Sequence, residues 1–282
     1  MKAIITGHKG YIGSKLFKKC QELGWQVIGV DLKEGNRDVN YISHYQDCLN
    51  LKPDVIFHMA SVPAVQYSVE HPAETCYHNV LGTSNVLQFA KNNNVKRVIF
   101  SSSSAIYGNN GKPLSPYALQ KAQSEMECKL YSELYGLDTV CLRYFNVYSE
   151  DQIPTTSYPT VISAWMKQIR EKKECLIFGD GLNTRDYIHV NDIIDCNLYV
   201  SNYQKSFNGQ FFDVGTGTNF SLNFIKDFIL KKHNIKFVNK DFRKGDALIS
   251  LAEIKYLNSI GWSAKIDFQK GLEICFSKEN IK

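Results

Sequence analysis

The first 31 residues constrain the fold more than any other stretch. "KAIIT" is a short apolar segment rich in β-branched residues, the pattern of a buried strand. "GHKGYIG" follows, then "SKLFKKCQELG", whose Ile12, Leu16 and Leu23 recur at helical spacing before Gly24 stops the helix. "WQVIGVD" is a second strand that ends in an acid. Strand, glycine turn, helix, strand and acid form the βαβ unit that holds a dinucleotide. Gly7 allows the tight turn, Gly10 a close approach to a pyrophosphate, and Gly13 tight helix-to-strand packing, with Tyr11 and Ile12 inside the turn. The helix N-terminus then faces the phosphate charge. Asp31 is placed to accept hydrogen bonds from an adenosine ribose and to repel a 2′-phosphate, which favours NAD. Lys33 and Arg37 keep NADP open, and glycine spacing alone is also compatible with a ligand-free turn.

The alternation continues. "PDVIFHMAS", "KRVIFSSSS" and "DTVCLRYFNVY" read as strands, with a helical stretch from about Gln66 to Asn92 between the first two. A further helix starts at Ser115 with Pro116 in its first turn. Repeated βα units imply an α/β fold, a doubly wound parallel sheet whose ligand crevice lies beyond the carboxyl ends of the strands. The texture changes after Tyr148, where a polar connection begins, and "GQFFDVGTG" is a later strand.

Within the stretch "SSSSAIYGNNGKPLSPYALQK", Tyr117 and Lys121 are four residues apart on one predicted helix face. Alone, such a pair is ordinary surface decoration, and a serine run is an ordinary strand end. Following a cofactor turn and an acid, they read together as an active site. An ammonium beside a phenol favours phenolate, so Lys121 is expected to lower the Tyr117 pKa toward working pH. Tyr117 would take a proton from a hydroxyl while the adjacent C–H gives up hydride.

The spacing GxxGxxG with YxxxK downstream resembles the short-chain dehydrogenase/reductase superfamily, and most of all its extended branch of NAD-dependent nucleotide-sugar epimerases and dehydratases. The resemblance covers nearly the whole chain. It implies a Rossmann domain over 1–149 and 186–216, and a smaller α/β nucleotide-sugar-binding part over 150–185 and 217–282. Among cofactor contacts it implies Asp38 and Val39 for adenine, Met59 and Ala60 beside pyrophosphate and ribose, Asn79 of "HNVLGT" steadying the site, and Tyr144 near nicotinamide. It selects Ser103, four residues before Tyr107, as the hydroxyl that orients the reacting oxygen, and it makes Lys121 a partner of the nicotinamide ribose. For substrate it implies Asn146 and Val147, Phe178 and Arg185 in "FGDGLNTRDYIHVND", and Arg243, Asp246 and Ser250 in "RKGDALIS".

The resemblance also narrows the reaction. Dehydratases of the family need an Asp-Glu pair after the catalytic hydroxyl and decarboxylases a Glu, whereas Ser104 and Ala105 stand here and offer no acid or base. The expectation is a nucleotide-sugar 4-epimerase working through a 4-keto intermediate; a 4-ketoreductase or 2-epimerase is the alternative, and a non-catalytic dinucleotide sensor is disfavoured by the complete Ser103, Tyr117 and Lys121 set. The small Ser250 implies room for an N-acetyl group as well as a hydroxyl. Three departures from the family pattern bear on the substrate pocket: a short, acid-free loop between Tyr107 and Tyr117, Ser149 in place of Gly, and a trimmed connection before Asp38.

Composition sets the remaining expectations. A net charge of +5 without an aromatic-basic motif argues against nucleic acid, and no apolar run reaches the roughly 20 residues a membrane span requires. The opening residues read as a strand rather than a secretory leader. Eight irregularly spaced Cys point to reduced thiols in the cytoplasm, not to zinc or disulfides, and the His residues read as structural with no metal site. The resemblance implies a homodimer.

Overall fold

The computed structural model describes residues 1–35, 37–109, 111–152, 160–242 and 248–277. The chain divides into two compact units: Met1–Ile106, Ser115–Arg143 and Ile194–Phe212 make the first, and Tyr107–Leu114, Tyr144–Ile193 and Asp213–Lys282 the second. The expected return to the dinucleotide-binding part at 186 therefore comes at Ile194, and the chain leaves the first unit at Arg143, ahead of the expected 149.

A six-stranded sheet carries the first unit. Its strands are β1 (Lys2–Thr6), β2 (Gln26–Val30), β3 (Val55–His58), β4 (Arg97–Ser103) and β5 (Asp138–Tyr144), with Gln210–Val214 at one edge. The order is β2-β1-β3-β4-β5 and then Gln210–Val214. β1 pairs in parallel with both β2 and β3, and β3 in parallel with β4. Successive strands run outward from β1 in one direction and from β3 in the other, so the topological switch lies between β1 and β3, where such sheets bind ligands. The inner strands β1, β3, β4 and β5 are buried along nearly their whole length, which is why they read as apolar runs. Ile4, Val30, Ile56, Val98 and Phe100 pack with Val86, Leu87 and Phe89 of the Gly82–Asn92 helix into one apolar core.

The expected helix over 66–92 is broken. Val65–Glu70 and Pro72–Cys76 are separate short helices, and Tyr77–Leu81 is a single π turn leading into Gly82–Asn92. Pro72 explains the first break, since it drives the preceding His71 out of helical geometry, to φ −130° and ψ 60°. The Pro116–Tyr135 helix forms as expected: the Ser115 side chain accepts from Ala118 N–H, Pro116 occupies the first turn, and Gly136 ends it at φ 68°.

"DTVCLRYFNVY" is not one strand. Asn146–Tyr148 leaves the central sheet and pairs in parallel with Thr184–His189 of the second unit. The latter strand also takes Asn219–Ser221 antiparallel and Ile249–Ser250 parallel. Trp165, Met166, Ile177, Tyr187, Phe268 and Leu272 form the core of this unit. Its buried anchor is Asp186, whose carboxylate accepts from Thr216 N and Oγ1 and from Gly217 N, each at 2.8 Å, and from Ala252 N at 3.3 Å. No helix among the described residues is long and apolar enough to cross a membrane.

Candidate functional site

Two constellations emerge, one in each unit. In the first unit, β1 delivers the chain into the glycine turn. Gly7 has φ +71°, and a methyl there would lie 2.7 Å from Ala60 N. A methyl on Gly13 would lie 2.2 Å from the Gly7 carbonyl oxygen. The turn is therefore closed to side chains at both positions, leaving a cradle bounded by bare backbone. The Tyr11–Glu22 helix starts at Gly10 with no side-chain cap and no acid in its first turn, so Tyr11 and Ile12 open it toward an anion. Gly13→Ala is expected to cost about 1–3 kcal/mol of stability through overpacking against backbone. A denaturant titration checks this, and NAD titration should show weakened binding.

Asp31 follows β2, and its carboxylate accepts from Lys9 N and Lys33 N, both at 2.9 Å. It thus ties the glycine turn to the end of β2. Arg37, one of the two residues that kept NADP open, is committed elsewhere: its guanidinium donates to Asp47 at 2.7 Å and lies 4.6 Å from the Tyr45 ring centroid. Asp38 caps a short 3-10 segment, accepting from Asn40 N at 2.9 Å and Asn40 Nδ2 at 3.0 Å. Val39 is buried against Gly82.

Beneath this cradle lies a polar chain that sequence reading did not find. Thr6 Oγ1 accepts from Met59 N and Ala60 N, both at 3.1 Å. Its one hydroxyl proton therefore goes to His58 Nδ1, 2.7 Å away. His58 is then protonated on Nε2 and donates to Thr83 Oγ1 at 3.0 Å, whose own hydroxyl donates to the Asn79 carbonyl at 2.7 Å. The Asn79 side chain accepts from Val62 N at 2.7 Å and donates to Gln120 Oε1 at 2.8 Å, the residue before Lys121. Thr6, His58, Thr83, Asn79 and Gln120 are all at most 4% exposed. Burial first, then the nearby Lys121 charge, pushes the His58 pKa down to about 3. The imidazole is neutral, and the chain locks the ends of β1 and β3 to the helix that carries Tyr117.

The Ser103, Tyr117 and Lys121 set assembles in the same unit. Ser103 ends β4, and its hydroxyl is near enough to the Tyr117 phenol to favour the ionised form. Tyr117 is held from behind by its N–H donating to Ser68 Oγ at 3.0 Å. Lys121 is 2% exposed, donates to the Ser101 carbonyl at 2.7 Å and sits 4.7 Å from the Phe100 ring centroid. The direction of the Tyr117 shift differs from expectation. Burial raises the phenol pKa, the Ser103 hydroxyl opposes that, and the Lys121 ammonium, turned toward Ser101, does not offset it. Lys121 itself is pushed down to about 8 by burial, against the pull of Glu125. Glu125 in turn pairs with Arg143 at 2.6 Å, which anchors the acid near the lysine.

The second unit holds a cavity of about 400 Å³ with Asn146, Val147, Phe178 and Arg185 in its lining. Its walls are largely apolar and aromatic, including Trp165, Leu176, Tyr187 and Leu222. Asn146 Nδ2 donates to the Asp186 carbonyl at 2.8 Å, and Arg185 Nη1 donates to the Thr184 carbonyl at 3.0 Å. Ser250 stands beside Arg185 as its strand partner. Tyr144, at the end of β5, is 8% exposed and belongs to the second unit. Arg243 and Asp246 lie outside the described residues. Sequence reading missed Gln168, whose Oε1 accepts from Leu176 N at 3.3 Å, and Asn183, a second amide in the lining. Single polar residues without a motif give no signal of this kind. Among the described residues no group of three His, Cys, Asp or Glu is placed to hold a metal ion.

A parallel sheet with its switch point at a side-chain-free glycine turn, and an acid at the end of β2, defines a dinucleotide-binding α/β enzyme. The family described as "NAD dependent epimerase/dehydratase family" matches residues 3–215, and the chain belongs to it. A UDP-glucose 4-epimerase of Halalkalibacterium halodurans is 31% identical to it over 94% of this chain and 91% of that one. The structure of a UDP-glucose 4-epimerase of Thermotoga maritima with UDP-glucose superposes with a TM-score of 0.89 at 27% identity, covering 100% of both chains. That of a UDP-N-acetylglucosamine 4-epimerase of Methanobrevibacter ruminantium in complex with UDP-N-acetylmuramic acid gives 0.86 at 29% identity, over 98% of this chain and 96% of that one.

Proposed function

We propose that this protein is an NAD-dependent nucleotide-sugar 4-epimerase acting on a UDP-hexose or UDP-N-acetylhexosamine. The observation that carries the reading is a buried Tyr117 whose phenol is influenced by the Ser103 hydroxyl, in one unit with a buried Lys121. Ser104 and Ala105, which follow Ser103, bring no acid for elimination. When bound, oxidised NAD accepts hydride from the sugar carbon and returns it. Gly7, Gly10, Tyr11, Ile12, Gly13, Asp31, Asp38, Val39, Met59, Ala60, Asn79 and Tyr144 would hold it, and Lys121 would grip its ribose.

The chain's own residues do the proton work. Ser103 orients the sugar hydroxyl and donates toward the Tyr117 oxygen, which favours phenolate. Tyr117 takes the hydroxyl proton as hydride leaves, forming the 4-keto sugar, and gives it back when hydride returns to the opposite face. No further acid or base is required. The nucleotide lies in the cavity of the second unit, its base between the apolar walls near Phe178, its diphosphate on Arg185 and Arg243, its ribose on Asp246, and the sugar's carbon 2 near the small Ser250.

Incubation with UDP-glucose, UDP-GlcNAc, CDP-glucose and GDP-mannose, with products read by NMR, tests this. Interconversion of a 4-epimer pair without added cofactor is expected. A requirement for external NADH at stoichiometric turnover would replace the reading with a ketoreductase. Turnover of UDP-glucose with UDP-GlcNAc ignored would reject the role of Ser250.

The homodimer belongs to the same proposal. Leu119, Met126, Leu130 and Leu134 recur along the Pro116–Tyr135 helix at 51, 71, 48 and 63% exposure, an apolar stripe that two copies would bury against each other. Met126→Glu is expected to give monomers in sedimentation while wild type gives dimers. A cytoplasmic location fits the cysteines, all eight free and seven of them buried.

A further inference from the structure

Asn183 is only 9% exposed and lines the cavity of the second unit, yet its carboxamide takes part in no hydrogen bond among the described residues. The amide is not among the sealed unpartnered polar atoms of the described residues, so it opens on the cavity, where a ligand or water can complete its hydrogen bonds. Its place on the strand says which part of a ligand that is. Asn183 immediately precedes Thr184–His189, and side chains alternate along a strand, so Asn183, Arg185 and Tyr187 share one face. All three line the cavity. Positions two apart on a strand are about 6.6–6.8 Å apart. With a diphosphate on Arg185, that step reaches one of the two sugars the diphosphate joins. With the hexose beside Ser250, the strand partner of Arg185, the ribose is the one left for Asn183. Tyr187, one step the other way, is stacked on Phe268 at 4.8 Å and closes the wall there.

A carboxamide carries both donor and acceptor, and so does a ribose hydroxyl. We infer that Asn183 hydrogen-bonds a ribose hydroxyl of the nucleotide and makes the site selective for ribonucleotides over deoxyribonucleotides. This rests on the reading of the cavity as the nucleotide site. Asn183 is a specificity-determining residue and plays no part in the proton and hydride steps.

Calorimetric titration of the purified holoenzyme with UDP, 2′-deoxy-UDP, 3′-deoxy-UDP and CDP tests it, on wild type, Asn183→Ala and the smaller polar change Asn183→Ser. Wild type is expected to bind one of the two deoxy analogues about tenfold more weakly than UDP. Asn183→Ala should bind UDP about tenfold more weakly and no longer distinguish it from that analogue, with NAD content unchanged. If Asn183→Ala misfolds, Asn183→Ser carries the same comparison. Deoxy-to-ribo ratios equal in wild type and variant would overturn the assignment while leaving UDP binding intact. A variant effect confined to the UDP-to-CDP ratio would overturn it in favour of base contact. Failure of UDP to bind wild type at all would instead overturn the nucleotide reading itself, and this inference with it.

Discussion

Tyr117→Phe is expected to lower kcat by about 10²–10⁴-fold while leaving NAD content and UDP affinity within a few-fold of wild type. The substitution keeps the ring, which is 8% exposed and packed beneath the Ser68 hydroxyl that receives its backbone N–H. It removes only the phenol oxygen, the atom whose ionisation the Ser103 hydroxyl favours. A loss confined to kcat marks an interaction made in the transition state, and equal loss of binding would mark a structural role. The pH profile gives a second readout. Burial raises the phenol pKa, so the protonated form dominates at neutral pH before a ligand binds, and activity should climb as pH rises. The Ser103 hydroxyl favours the ionised form, so Ser103→Ala should move that climb to higher pH. A Tyr117→Phe enzyme as fast as wild type would remove the basis of the proposed chemistry.

The glycine turn, Asp31 and the Tyr117–Lys121 pair were legible because each is local: spacing along one turn or one helix face determines what meets what. Thr6, His58 and Thr83 were not, because the bonds joining them span 52 and 25 residues. Those bonds exist only once β1 and β3 lie side by side in parallel register, with Thr6 opposite His58. The direction of the Tyr117 shift was hidden for a related reason. Helical spacing placed Lys121 on the same face but could not show its Nζ turned to the Ser101 carbonyl, nor the depth of burial that raises the phenol. The strand "DTVCLRYFNVY" misled because its run of strand-forming residues continues across the break. Residues 139–145 are buried and Asn146 and Val147 are half-buried, but the pairing partner changes at Phe145, and residue type alone carries no mark of which neighbour a strand has.

His58 should make the fold acid-sensitive in a way a single substitution reverses. The imidazole is 1% exposed, and both ring nitrogens are spent, Nδ1 accepting from Thr6 and Nε2–H donating to Thr83. Protonating Nδ1 would break the Thr6 bond and bury a cation near the Lys121 ammonium, which is why the pKa falls from 6.5 to about 3. A folded pKa below the unfolded one means the unfolded chain takes up a proton that the fold refuses. Stability is therefore unaffected above about pH 6.5 and declines as pH falls from there toward 3, by about 4–5 kcal/mol over the whole window. Other groups titrate in the same range, so the informative quantity is a difference between proteins. His58→Asn keeps an acceptor close to the Nδ1 position and has no titratable group; it is expected to be less stable than wild type at pH 7 through loss of the Thr83 bond. That deficit should shrink by about 2–3 kcal/mol at pH 4.5, because only wild type carries the proton penalty. Urea midpoints for both proteins at the two pH values check it, and a deficit that stays constant would mean His58 is protonated in the fold and the directional chain from Thr6 to Asn79 does not hold. Because the same chain fixes Met59 and Ala60 beside Gly7, NAD release should track the acid transition in wild type and come without that pH dependence in His58→Asn.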